Sequence, residues 1–200
     1  MKVIIIPNCE KTPQENIESA MKEIVRMPAF FYNIMLFERY GFSEFLICDN
    51  SDTHQIRDYL NANASKIKGL KIRILKVDGR LNSTEIISLC RKYVLENAFF
   101  IAPLDVLTDF DVEKMLFNHK ENAKVATVCV VEDTISLIDN ETLLEKQERK
   151  IVNSGYYIFE EEAIDYLQKS EKSFDSSLVR IAEDDELNLY IERACVLRRI

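Results

Sequence analysis

Two hundred residues with 34 acidic and 26 basic side chains, a formal charge of -8 and a hydrophobic fraction of 47% describe one domain, 1–200, large enough for a sizeable core. An acidic balance with no dense basic patch speaks against a nucleic-acid partner, and no apolar run approaches the length of a membrane span. With only 4 Gly and 4 Pro, the composition leaves no place for a disordered or collagenous chain.

The run MKVIIIP opens on a continuous Val/Ile strand over 2–6, the pattern of a parallel strand covered on both faces, and Pro7 ends it. Thr12-Pro13-Gln14-Glu15 then supplies a capping threonine, a proline at the first helical position and a glutamate at the third, ahead of Ile17, Ala20, Met21 and Ile24 at helical spacing. Pro28 opens a second helix with Phe31, Ile34, Met35 and Phe37 inward, Gly41 stops it, and 44–48 is a strand. A helix from Asp52 or Thr53 to about Ala64, a strand over 70–77 and a helix over 83–96 with Ile86, Ile87, Leu89, Cys90 and Val94 inside continue the alternation.

The stretch 99–111, FFIAPLDVLTDFD, is a buried strand broken at Pro103 and followed by three aspartates within seven positions. A carboxylate just past a strand's carboxyl end stands where open α/β sheets bind ligands and where a metal ion is held, which makes Asp105 a candidate metal ligand. The competing reading is a polar turn whose acids cap the following helix, 111–119. His119 then serves as a dipole partner at the helix end. Residues 123–131 form a strand, 134–148 a β excursion and 151–159 another strand. The acids at 160–162 sit where a helix N-terminus favours negative charge. A last helix over 174–183, a strand over 186–192 and a terminal fragment from 195 complete an α/β sandwich with a mainly parallel sheet.

The five cysteines (Cys9, Cys48, Cys90, Cys129 and Cys195) are odd in number, widely spaced and mostly set in apolar segments. They read as free buried thiols, pointing to a reducing cytoplasm. His54 and His119 share no zinc-type spacing with each other or with a cysteine.

The order of these features resembles the sugar-nucleotide nucleotidyltransferases. Pro28 with FFYNIMLFERYGFSEFLIC is similar to that family's proline, helix, glycine and strand unit, and FFIAPLDVLTDFDVEKMLFNHKENAKVATVCV to its strand, metal aspartate and histidine block. LLEKQ resembles the F-x-E-K-P element, VNSGYYIFEEEAIDYL the "vNaGiY" segment and SFDSSLVRIAEDDELNLYIERA the closing segment. The resemblance implies a three-layer α/β/α sandwich of the Rossmann-like nucleotide-diphospho-sugar transferase type. It puts Asp105 on the metal aspartate, Glu145 and Lys146 at the sugar phosphate, and Asn153 and Gly155 near the sugar. The activity it implies is attack of a sugar 1-phosphate on a nucleoside triphosphate, with Mg²⁺ neutralising charge and pyrophosphate leaving.

The departures fall on that machinery. Where the family has a glycine-rich G-x-G-T-R-x-x-P loop, residues 7–13 read Pro-Asn-Cys-Glu-Lys-Thr-Pro, without glycine or arginine and with an added acid at Glu10. Ser19 stands at the family's active-site lysine, with Lys22 nearby as a helix-surface residue, and the base-contacting turn appears as Leu81-Asn82-Ser83-Thr84. The segment of the second metal aspartate appears as 195–198, ending on Arg198. The sequence therefore points to a nucleotidyltransferase-like protein with lost or weakened catalysis and a binding, regulatory or assembly role, without a cofactor and in a homo- or hetero-oligomer. The alternative is a divergent active transferase that uses Mg²⁺, Asp105, Lys11 or Lys22, and Glu145. Nucleotide or sugar phosphate is the ligand expected of both.

Overall fold

A computed structural model describes residues 1–24, 26–94, 98–138, 145–169, 173–193 and 197–200, with the side chains of 133–138, 145–150 and 168–169 outside that description. The first half comprises β1 (Lys2–Ile6), α1 (Pro13–Met21), a short ribbon of β2 (Glu23–Ile24) and β3 (Met27–Pro28), α2 (Ala29–Glu38), β4 (Glu44–Asp49) and α3 (Gln55–Ala62). A 3-10 turn, Ala64–Ile67, leads to β5 (Lys71–Lys76) and α4 (Ser83–Val94). The second half comprises β6 (Phe99–Pro103), β7 (Val106–Thr108), α5 (Val112–Asn122), β8 (Ala126–Ile138) and β9 (Glu145–Phe159). It ends with α6 (Ala163–Lys169), α7 (Phe174–Glu183), β10 (Leu187–Glu192) and β11 (Leu197–Arg199).

Seven strands form one sheet in the order β10-β8-β9-β6-β1-β4-β5. Only β9 runs against the rest, antiparallel to β6 and β8, while β1 is parallel to both β4 and β6. The sheet is thus mainly parallel and mixed. The strand alternation sends Val3 and Ile5 to one face, against α1, α2, α3 and α5, and Ile4 and Ile6 to the other, against α4, α6 and α7. A chain whose central strand is apolar on both faces needs helices on both, which is why three layers form.

On the first face an aromatic cluster fixes α2. Phe37 meets Phe42, Phe100 and Phe110 edge-on, with ring centroids 5.5, 5.0 and 6.5 Å apart. Phe37, Phe100 and Phe110 are fully buried, and each such ring contributes about 1.5–3 kcal/mol through burial. The expected capping box closes α1: Thr12 Oγ1 accepts from the Glu15 amide while Glu15 Oε2 accepts from the Thr12 amide at 2.7 Å. Such a cap is worth about 1 kcal/mol.

Some expectations need correction and others gain detail. Leu89, expected inside, is 49% exposed, because Ile86, Ile87, Cys90 and Val94 already define the buried stripe of α4 and Leu89 falls beside it. The helix expected from 52–53 starts only at Gln55, since Ser51 turns toward Asp49 and Thr53 toward the Ser51 hydroxyl instead. His119 does lie in the last turn of α5, but it is buried and bonded through Nδ1 to Thr127 Oγ1 at 2.8 Å and through Nε2 to Glu160 Oε1 at 3.1 Å. Cys48, Cys90 and Cys129 are buried free thiols, Cys9 is an exposed one, and Cys195 lies outside the described residues. The excursion at 134–148 is the far part of a long β8–β9 hairpin, with residues 139–144 outside the description.

Candidate functional site

The carboxyl ends of β1 and β6 open into a crevice of about 480 Å³ lined by the β1–α1 loop, the turn after β6, the middle of β9 and the start of α7. Brought to its rim are Asn8, Glu10, Asp105, Asn153, Asp175 and Arg199. Of the residues singled out from the sequence, the fold therefore gathers Asp105, Asn153 and Gly155 in one place. The β8–β9 register puts Lys146 opposite Leu137, seven residues along β9 from Asn153 and about 23 Å of extended chain away. The side chains of Glu145 and Lys146 lie outside the described residues.

Asp105 is 2% exposed and has two partners remote in sequence, Lys11 and Ile200. Lys11, from the β1–α1 loop, brings Nζ to 2.7 Å from Asp105 Oδ2. The same ammonium donates to Ser19 Oγ at 2.9 Å and to the main-chain oxygen of Ile200 at 2.7 Å. In return the Ile200 amide donates to the Asp105 carbonyl at 2.9 Å. Strand β11 reaches this point by pairing antiparallel with β7, Arg199 opposite Val106.

The backbone on either side of Asp105 is held from below. Asn33, buried in the otherwise apolar α2, donates through Nδ2 to the carbonyls of Pro103 at 2.8 Å and Val106 at 3.1 Å. Tyr156 binds the Asn33 side-chain oxygen and lies 3.0 Å from the Val106 oxygen. Asn33 and Tyr156 thus fix the turn that presents Asp105, and neither was singled out from the sequence. An asparagine amid FFYNIML was the available signal, since a buried amide requires partners.

The β1–α1 loop is folded onto itself. Asn16, 1% exposed, accepts from the Asn8 amide at 3.0 Å and donates to the Asn8 and Lys11 carbonyls. The Glu10 amide donates to Asn8 Oδ1 at 3.0 Å, the Lys11 amide to the Asn8 carbonyl at 3.1 Å, and the Thr12 amide to Glu15. The amides of Asn8, Glu10, Lys11 and Thr12 are therefore all engaged by the loop and the start of α1. Glu10 and Cys9 line the crevice; although Cys9 is exposed at the surface, partial desolvation by its surroundings pushes the thiol up against the opposing hydrogen bond that Ser83 donates to its sulfur at 3.3 Å.

On the β9 side, Asn153 is locked locally: its Oδ1 accepts from the Gly155 amide at 2.9 Å and its Nδ2 donates to the Tyr157 hydroxyl at 2.8 Å. Gly155 has φ +87, a left-handed conformation that favours glycine, whereas a Cβ there would only touch Pro103 Cγ at 3.4 Å. Burial raises Tyr157 to about 12. Arg199 points into the crevice and donates to the Asn153 carbonyl at 3.2 Å. Its neighbour Arg198, expected at the second metal aspartate, is exposed opposite Leu107. Lys22 is exposed at the end of α1, as expected of a helix-surface lysine.

No family model and no curated protein sequence matches this chain. Solved structures do. A structure assigned as a glucose-1-phosphate thymidylyltransferase from Bacillus anthracis, in complex with a sucrose, aligns with a TM-score of 0.76 at 11% identity over 99% of this chain and 88% of that one. HddC from Yersinia pseudotuberculosis aligns with a TM-score of 0.75 at 19% identity over 100% and 93%. Its complex with GMP-PN gives 0.73 at 15% over 99% and 92%. The chain has the fold of the sugar-nucleotide nucleotidyltransferases, a Rossmann-like three-layer sandwich. Among the described residues, no helix is long and apolar enough to cross a membrane.

Proposed function

We propose that this chain is a nucleotidyltransferase-like binding protein of sugar-nucleotide metabolism, with lost or weakened catalysis and a regulatory or assembly role in the cytoplasm. The observation that carries the reading is the β1–α1 loop. Transfer to a triphosphate depends on donors aimed at charge that develops on phosphorus. Here the amides of Asn8, Glu10, Lys11 and Thr12 are taken up by Asn8 and by Asn16 and Glu15 of α1, and the crevice lining carries the Glu10 carboxylate. Incubating the pure protein with each nucleoside triphosphate, a panel of sugar 1-phosphates and Mg²⁺ is expected to release no pyrophosphate. Steady release that disappears on Asp105→Ala overturns the reading.

The second reading is a divergent transferase that joins a sugar 1-phosphate to a nucleotide and uses Mg²⁺. It is favoured by the crevice itself, where Asn153 and Gly155 stand on the same rim as Asp105. In both readings the ligand is a nucleotide or sugar phosphate. Calorimetry at millimolar ligand separates binding from chemistry: heat without turnover supports the first reading.

A further inference from the structure

The divalent ion that this fold implies needs oxygen ligands with free lone pairs and, for Mg²⁺, near-octahedral space for several waters. The Asp105 carboxylate has one oxygen, Oδ2, already taken by an ammonium, and little open space around it. It is 2% exposed, and Lys11 Nζ stands 2.7 Å from Oδ2, closer than a hydrated cation would allow both to remain. Among the described residues, no three His, Cys, Asp or Glu side chains gather into a metal-sized group. The residues present do not fit Mg²⁺ at this position.

We infer that Lys11 is the resident cation of this site: its ammonium occupies the place beside Asp105 that a divalent ion would take, and the main chain of Ile200 seals it there. An ammonium has three donors and no acceptor. All three are engaged, by Asp105 Oδ2, Ser19 Oγ and the Ile200 oxygen, at 2.7, 2.9 and 2.7 Å. The Ile200 amide closes the ring on the Asp105 carbonyl. One positive charge thus stands against the Asp105 carboxylate at the crevice wall. Lys11 therefore does not serve a phosphate in the crevice; it holds the turn of Asp105, the β1–α1 loop and β11 together.

Titration with Mn²⁺, followed by electron paramagnetic resonance of the free ion and by thermal melting, tests this independently of any activity. The intact protein is expected to bind no Mn²⁺ in a manner sensitive to Asp105→Asn at concentrations up to about 1 mM, the weak end of carboxylate sites, and to melt at the same temperature in chelator. Lys11→Ala, which removes the ammonium and leaves its space, is expected to gain Mn²⁺ binding and a melting temperature that rises with Mn²⁺, both lost in Lys11→Ala/Asp105→Asn. Saturable binding by the intact protein that vanishes in Asp105→Asn overturns the inference. So does a cooperatively folded Lys11→Ala that binds no more Mn²⁺ than the intact protein. Should Lys11→Ala not fold, Lys11→Gln takes its place under the same criteria, and the intact-protein measurement stands alone. These outcomes are separate from the proposed function, since pyrophosphate release and Mn²⁺ occupancy are read on different samples and one can fail without the other.

Discussion

Asp49 ends β4 and Asp105 follows β6, the two strands that flank β1, so the chain places a nearly buried carboxylate on each side of the same central strand. Asp49 is satisfied almost entirely by its own neighbours: the Ser51 amide and hydroxyl donate to Oδ1 at 2.9 and 2.6 Å, and Lys76 stands 3.6 Å from Oδ2. Asp105 is satisfied by residues remote in sequence, Lys11 and Ile200. A local Asx turn can be built anywhere and needs no particular fold. A carboxylate held by a lysine from one loop and a strand from another binds three segments into one structure, so its loss is felt by all of them.

Removing the remote cation is the strongest way to break that contrast. Lys11→Met leaves the Asp105 carboxylate buried without a counter-ion and is expected to cost about 3 kcal/mol in urea unfolding, the low end for a broken buried pair because 26% of the Lys11 side chain is exposed. Adding Asp105→Asn should recover more than half of the loss; a double variant as unstable as the sum of the singles refutes the coupling.

The crevice also carries an alkali-sensitive group. With Tyr157 raised to about 12 against an unfolded value near 10, the unfolded chain releases this proton first. The contribution is intact below pH 10 and is lost as pH rises from about 10 towards 12, reaching about 1.4 kcal/mol by pH 11. Urea midpoints at pH 9 and 11 measure it, and Tyr157→Phe should remove that part of the pH dependence. An unchanged slope in the variant refutes the assignment.

The smallest effect belongs to the local carboxylate. Asp49→Asn keeps one acceptor for Ser51 and loses a long ion pair, so about 1 kcal/mol is expected from the same unfolding experiment. A cost equal to that of Lys11→Met would erase the distinction between the two aspartates.

Most of the frame was legible because its signals are local. The Val/Ile run of β1, the capping box of α1 and the strand, turn and acid after β6 each state their structure within a few residues. The partner of Asp105 was not, since Lys11 lies 94 positions away and reads as one more charge in a polar loop. The period-two alternation of a strand was also needed before Arg199 rather than Arg198 could be placed in the crevice, and β11 is too short to announce itself as a strand. The sign of the departure in the β1–α1 loop was readable from Glu10 and the missing glycines; that the loop amides turn onto Asn8, Asn16 and Glu15 depends on the folded path of the loop.

The bond between Lys11 and Ile200 spans 189 positions. Closing a loop of that length comes late, because the chain must lose its freedom before the contact returns anything, and nearer contacts form first. The seal on Asp105 therefore takes no part in guiding the chain to its fold and acts afterwards as a latch, slowing escape from a structure that β1, β4 and β6 have already made. A change at Lys11 should then appear chiefly as faster unfolding, with the refolding rate nearly untouched.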